Sequence, residues 1–239
     1  MGTKKMNQKK FRLKPQYKKL IQLRKNAQNK QKVLLFQKAK WKKFNKYYLK
    51  QQRWFNKYKP KYQNRLVASK FPNRYNSYKQ NFKSTLVTRK IFDLFYGFIG
   101  KKNLKRTLVQ NKKKIRDCLD FIKVFEHRLD VVLYRARFCH SMRSAQQYIV
   151  HGKVFVNGKV VYSKNYLLKP GDLVSVSLLS LERSYNDGYE LDTWPIFPKH
   201  LIVNYRTAEI IFTEIKHTNL SASFPFYFNS EKIITDFMH

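Results

Sequence analysis

Apolar residues recur at three- and four-residue steps through residues 1–60. Leu20, Leu23, Leu34, Leu35, Trp41, Phe44, Tyr47, Tyr48, Trp54 and Phe55 stand among Lys and Gln. No glycine follows Gly2, and Pro15 and Pro60 bracket the stretch, so it is expected to be helical. Two uses of its aromatic stripe remain open. The rings pack against the rest of the protein with the Lys face on phosphate, or they stack on unpaired bases. Residues 60–90 read as an irregular basic connection, broken by Pro60, Asn64, Pro72, Asn73, Asn76 and Ser77. A helical pattern returns at Lys90–Gly97. Lys101 to Arg106 continue its basic face, and a further helix is expected over Lys112–Phe125.

The densest set of local signals lies between Glu126 and Ser177. Arg128–Arg135 reads as a short helix with Leu129, Val132 and Leu133 on one face and Arg128 and Arg135 on the other. Ser141 is a plausible N-cap for a second helix from Met142 to Val150. His151-Gly152 ends it, glycine supplying the left-handed position after the last turn. Val154–Val161 then reads as a hairpin, because Asn157-Gly158 between apolar strands suits a turn with two positive φ angles. Lys169-Pro170-Gly171-Asp172 makes another turn, and Leu173–Ser177 alternates as a strand. Further on, His200–Asn204 and Ala208–Ile215 read as strands. Phe224-Pro225-Phe226 and Ile233-Ile234 add apolar residues near the end of the chain. The acidic last third is expected to pack against an earlier segment, the Ile91–Phe125 helices first.

Charge changes the picture. The 239 residues carry 51 Lys+Arg against 14 Asp+Glu, a net charge of +37. A chain this basic repels itself unless a polyanion neutralises it, which points to nucleic acid ahead of an anionic membrane. Hydrophobic residues at 43% and aromatics at 16% argue against simple disorder. The charge is graded along the chain. Residues 1–92 hold 29 basic and no acidic residues, 93–177 hold 17 and 6, and 178–239 hold 5 and 8. There is no apolar run near membrane-spanning length, and no membrane partner is expected.

Candidate catalytic chemistry is sparse. The sequence has no glycine-rich phosphate loop, no G-x-S-x-G and no H-E-x-x-H. Cys118 and Cys139 lack zinc-site spacing and read as reduced thiols. The six histidines are scattered. No metal or cofactor is expected, and the chain does not read as an enzyme. What remains is RNA recognition. Arg128, Arg135, Arg137, Arg143, Lys153 and Lys159 are expected to share a face with Ser141, Gln147, His151 and Asn157. That mixture of cations, amides and hydroxyls suits phosphate and 2′-OH contacts in folded RNA. The basic faces of the preceding helices add Arg89, Lys90, Lys101, Lys102, Lys105 and Arg106.

These residues, taken in order, resemble a known family. Arg128–Arg135, Ser141–Gly152 with Ala145, Gln147, Ile149 and His151, Val156–Lys159, and Lys169–Asp172 resemble the S-four RNA-binding domain. In particular they are similar to the copy in the small-subunit ribosomal protein S-four family. Arg89-Lys90 with Leu94–Gly97 is similar to that family's K-L-x-x-x-Y-G element. Pro198, Leu201, Val203, Phe212, Phe224–Phe226, Ile233-Ile234 and Phe237 resemble the C-terminal pattern of its bacterial-type and mitochondrial members. The resemblance covers roughly residues 89–239. The family's T-R-A-x-A-R-Q falls on Ser141–Gln147, where Met142 and Gln146 replace both arginines and Arg143 is displaced by one. The cysteine zinc site of some bacterial members is absent, and residues 1–60 align with nothing in the family.

The resemblance implies an α+β chain: a helical N-terminal body, an inserted S-four RNA-binding domain and a C-terminal β-rich tail packing back on the body. The expected divisions are 1–88 (basic extension and body segment), 89–125 (helical body), 126–177 (S-four domain) and 178–239 (C-terminal segment). It also implies a structural protein of the small ribosomal subunit. Such proteins bind small-subunit rRNA, nucleate assembly of the body, lie near the mRNA entrance and touch the neighbouring S-five protein. The Lys-, Asn-, Phe-, Tyr- and Ile-rich composition and the C-terminal pattern point to a mitochondrial ribosome, with a plastid or bacterial one as runner-up. The competing class is an RNA-modifying enzyme or RNA-binding factor carrying the same domain. Pseudouridine synthases have an R-L-D catalytic motif downstream of it, whereas Arg128-Leu129-Asp130 opens it here.

Overall fold

The computed structural model describes residues 17–28, 31–57, 78–97, 99–111, 115, 118–177, 198–215 and 224. The N-terminal pattern forms two helices rather than one continuous run. These are α1 (Tyr17–Leu23) and α2 (Ala39–Lys57), with a 3-10 turn at Gln31–Leu35 between them. Arg24 ends α1 in the left-handed region, at φ 52°. On α2, Trp41, Phe44 and Tyr48 are buried, at the spacing that keeps one helical face inward. Trp41 and Phe44 meet Leu20 and Val33 in a small core flanked by Tyr17, Ile21 and Phe36. The Asn45 amide donates to the carbonyls of Val33 (3.2 Å) and Leu34 (3.1 Å), fixing the 3-10 turn to α2. The stripe is therefore used for packing. Among the described positions Tyr47 and Leu35 are exceptions, at 52% and 73% exposure, and the side chains of Trp54 and Phe55 lie outside the described set.

The next helix, α3, spans Tyr78–Phe95. It starts well before Lys90, so the later part of the expected irregular connection is helical. Tyr78–Lys90 contains no glycine or proline to interrupt it. Positions 58–77 of the expected connection, with Pro60, Asn64, Pro72, Asn73, Asn76 and Ser77, lie outside the described residues. Gly97 and Gly100, at φ 79° and 75°, turn the chain. The Asp93 carboxylate accepts the Gly100 N–H at 2.8 Å, and α4 (Lys101–Gln110) follows. Then come α5 (Cys118–Glu126), α6 (Leu129–Arg135) and α7 (Met142–Val150). Of the helix expected over Lys112–Phe125, positions 112–114 and 116–117 lie outside the described residues.

The five described strands are β1 (Val154–Val156), β2 (Lys159–Val160), β3 (Leu173–Val176), β4 (Leu201–Asn204) and β5 (Glu209–Phe212). They form one antiparallel sheet in the order β2-β1-β3-β5-β4. Asn157 and Gly158, at φ 49° and 77°, make the tight β1–β2 turn that the Asn-Gly pair predicts. Val154 pairs with Val176, Val156 with Val174, and Val174 with Ile210. All five are buried, because one face of the sheet points inward.

The C-terminal strands thus extend the sheet through β3, whereas the sequence puts the Ile91–Phe125 helices first. β3 would otherwise be an edge strand with open backbone groups, and β5 covers it. The helical body is reached as well. Phe224 lies 5.2 Å from Phe95, and the Tyr205 hydroxyl donates to the Ala136 carbonyl at 3.0 Å. Pro225, Phe226, Ile233, Ile234 and Phe237 lie outside the described residues. The result is an α+β fold with one main core beside the small core of α1 and α2. Phe92, Phe95 and Tyr96 of the body meet Phe121 and Phe125, α6, Ala145 and Ile149 of α7, and the inner sheet face. Ala27, with no exposure, belongs to that core, and Tyr134 donates to the Gln28 carbonyl at 2.9 Å. The N-terminal segment is therefore partly built into the body.

Candidate RNA interface

The α6–α7 pair is held by a carboxylate clamp. Arg128 is the extended N-cap of α6, and Asp130 lies in the first turn with no exposure. Asp130 accepts from Arg128 Nε at 3.1 Å and Nη2 at 2.7 Å, and from Gln146 Nε2 on α7 at 2.8 Å. Ser141 caps α7, its hydroxyl accepting the Ser144 N–H at 3.2 Å. Gly152 follows at φ 67°. The loop after β2 is sewn to the start of α6. Leu129 N–H donates to Tyr166 O (2.9 Å) and Leu168 N–H to His127 O (2.8 Å).

This stitching brings Lys164 and Asn165 opposite α4 and opens a cleft of about 810 Å³. Four cations line it: Arg106, Lys123, Arg128 and Lys164. The amides of Asn103, Gln110, Asn111, Gln146 and Asn165 join them. One acid, Asp120, lies in the lining, and it pairs with Lys123 at 3.2 Å. Lys123 and Arg128 are balanced by Asp120 and Asp130, whereas Arg106 and Lys164 are in no described ion pair, and cations of that kind beside amides suit phosphate and 2′-OH contacts. Among the described residues, no group of three or more His, Cys, Asp or Glu could hold a metal ion, and no helix is long and apolar enough to cross a membrane.

Arg135 has to be moved out of the RNA-binding set. Its side chain is 4% exposed, and Nη2 lies 2.6 Å from Glu126 Oε1. The guanidinium sits over Phe95 (4.7 Å) and Phe224 (4.4 Å). The Tyr96 hydroxyl donates to the same Glu126 oxygen. Amphipathic arithmetic misplaces Arg135 because α6 is covered on all sides. Burial opposes the Arg135 charge, but Glu126 and Tyr96 together outweigh it and hold the guanidinium above its ordinary range. Burial, with Glu126 beside it, pushes the Tyr96 phenol well up. His200, with Nε2 3.8 Å from Glu126 Oε2, is pushed down to about 4 by burial, and Glu126 only partly opposes this. Cys139 is a buried free thiol that burial pushes up to about 12.

The other expected residues divide by availability. Lys90, Lys102, Lys105, Arg106, Gln147, His151 and Lys159 are exposed. Arg89, Arg137 and Arg143 are half-buried, and Arg137 has a left-handed backbone at φ 63°. Lys153 is half-buried with its ammonium 5.6 Å from the Tyr148 ring. Lys101 opens α4, but its side chain lies outside the described set. Asn157 is exposed, yet its amide is engaged internally, donating to Asp172 Oδ1 (2.9 Å) and accepting Leu173 N–H (2.9 Å). Ser141 serves as a cap and Arg128 serves Asp130. Only Arg106 and Arg128 of the expected set line the cleft. Lys123, Lys164 and the cleft amides escape sequence reasoning, because Lys164-Asn165 carries no periodicity and only the loop's backbone bonds set its position.

Residues 127–174 match the S4 domain family model. Over 185 residues the chain is 29% identical to the small ribosomal subunit protein uS4m of Reclinomonas americana, covering 71% of this chain and 70% of that protein. It is 41% identical over 93 residues to the uS4 protein of Phenylobacterium zucineum, and 41% over 83 residues to that of Brucella suis. Those matches cover 43% and 40% of the bacterial proteins. The chain is thus similar to uS4 proteins, most specifically across its S4 domain. Its S4 domain comprises α6, α7 and β1–β3, and β5 and β4 continue the sheet beyond the matched residues. Within that domain Gln146 supplies Asp130 with a neutral donor.

Proposed function

We propose that this chain is a structural constituent of the small ribosomal subunit that binds small-subunit rRNA directly, in a mitochondrion. The observation that carries the reading is the basic cleft beside the S4 domain. It has four cations and five amides; Lys123 and Arg128 are paired with Asp120 and Asp130, and Arg106 and Lys164 remain in no described ion pair. The similarity to the Reclinomonas uS4m protein supports the subunit and the compartment. The finer parts extend the same reading. The protein nucleates assembly of the subunit body, lies near the mRNA entrance and contacts the S-five protein.

The enzyme reading is disfavoured by Asp130. A catalytic carboxylate must reach its substrate, whereas Asp130 is fully buried and accepts three hydrogen bonds within the fold. Sedimentation of lysed mitochondria tests the proposal, with crosslinking and sequencing of the bound RNA. The protein is expected in the small-subunit fraction, crosslinked to small-subunit rRNA. Recovery on transfer RNA, or at the top of the gradient, overturns it.

A further inference from the structure

The outward face of α2 has no role in the interface described above. Lys38, Lys42, Lys46 and Lys50 follow one another at four-residue steps, and all are exposed. Trp41, Phe44 and Tyr48 are buried on the opposite face. Lys40, Lys43 and the half-exposed Tyr47 flank the lysine row. Lysines four apart repel each other on a helix, and cations at a helix N-terminus oppose its dipole. Both faults are present. Lys38 caps the first turn through its carbonyl, Lys40 follows, and there is no acid in that turn. No Asp or Glu precedes Asp93, and the described ion pairs involve none of these lysines. The face is arranged as though its counter-charge comes from outside.

We propose that this face docks along the phosphate backbone of an A-form RNA duplex, at a second RNA site separate from the S4 domain. Four residues of helix advance about 6 Å, comparable to the step between adjacent phosphates of one RNA strand. The lysine row therefore meets successive phosphates in register. The row drifts slowly around the helix, and the long lysine stems absorb that drift. The occupant is duplex rather than single strand because, among the described ring side chains of α1 and α2, Tyr47 alone is largely exposed, and one ring makes no stacking platform. Trp41, Phe44 and Tyr48, the rings that would hold unpaired bases, are committed to the core. Recognition of this kind reads backbone shape and charge, not sequence.

The test uses the full chain and a blunt RNA duplex without loops. Affinity is measured against salt for the parent and for Lys38→Gln, Lys42→Gln, Lys46→Gln and Lys50→Gln combined. Glutamine matches lysine in helix propensity, so α2 is retained. With about 0.7–0.9 of slope lost per phosphate contact, the slope of log K against log salt is expected to become shallower by about 3. Lysine-to-arginine changes at the same four positions are expected to keep the slope. If the quadruple variant loses helix by circular dichroism, the Lys42→Gln and Lys46→Gln pair should show about half the effect. A slope change below about 1 overturns the proposal, and so does an equal loss confined to single-stranded RNA. Sedimentation judges the ribosomal reading separately, so either can fail alone.

Discussion

Replacing Arg135 by alanine separates a buried structural cation from an RNA-binding one. The side chain is 4% exposed and its partner carboxylate, Glu126, is not exposed at all. Removing one member of such a pair leaves the other charge buried and uncompensated, which costs about 3–5 kcal/mol. The guanidinium also leaves two rings, Phe95 and Phe224, at 4.7 and 4.4 Å, which moves the expectation toward the upper end. Against a typical domain stability of about 5–15 kcal/mol, that is a large fraction. Urea unfolding followed by circular dichroism measures it. The double change Arg135→Met with Glu126→Gln removes both charges. It is expected to recover at least about 1 kcal/mol relative to Arg135→Ala, because the penalty lies in the orphaned carboxylate. The salt slope for RNA binding, measured where the variants are folded, is expected to stay at the parent value. Lys105→Ala on exposed α4 should do the reverse, with stability unchanged within about 0.5 kcal/mol and a shallower slope. If Arg135→Ala retained full stability and lost about one unit of slope, the buried assignment would be wrong.

Other outcomes follow from the same contacts. His200 titrates at about 4 in the folded chain against an ordinary 6.5, so the unfolded chain takes up its proton first as pH falls. Stability is therefore whole above about pH 6.5 and falls by roughly 3 kcal/mol toward pH 4. His200→Phe should flatten that part of the pH–stability curve in urea titrations. Asp130→Ala strips Arg128 and Gln146 of their shared acceptor, and should cost about 3 kcal/mol by the same unfolding measurement. Gly158→Ala meets open space and should cost about 1 kcal/mol, for its left-handed backbone alone. Gly97→Ala should cost clearly more, roughly 2–4 kcal/mol, because the added Cβ falls 2.5 Å from Met142 Cγ. Equal losses at the two glycines would refute the close approach of α7 to that turn.

Local devices were the legible part of this fold. Asn157-Gly158, Ser141 and Gly152 each announce a backbone state that depends on one or two residues, and each takes that state. The Trp41–Phe44–Tyr48 stripe was legible as a stripe, and its burial required only a partner such as Leu20. Legibility fails where the deciding partner is distant. Arg135 looks like a solvent-facing helix residue until Glu126, Phe95 and Phe224 surround it. Those three come from α5, α3 and a segment beyond the sheet. The pairing of β5 with β3 is equally non-local, since short apolar strands carry no label for their neighbour. The cleft depends on Leu129 meeting Tyr166 and on His127 meeting Leu168, backbone bonds that leave no trace in composition.

The scarcity of acid explains how one chain holds both a stable fold and an RNA-facing surface. Five described carboxylates between residues 93 and 177 are all committed internally. Asp93 accepts from the Gly100 backbone, Asp120 pairs with Lys123, and Glu126 holds Arg135 and Tyr96. Asp130 holds Arg128 and Gln146, while Asp172 accepts from Asn157 and the Lys169 backbone. Three of the five bind a cation directly. Those cations, Lys123, Arg128 and Arg135, all lie on the α5–α6 segment. No carboxylate of this set pairs with the exposed lysines of α2 or with Lys102 and Lys105 of α4. A surface ion pair contributes little to stability, so an acid placed beside those lysines would have gained the fold little. It would also have screened them from phosphate. Acids committed to bonds within the fold, two of them fully buried, and withheld from the outward cations, leave the positive field of the surface intact for RNA.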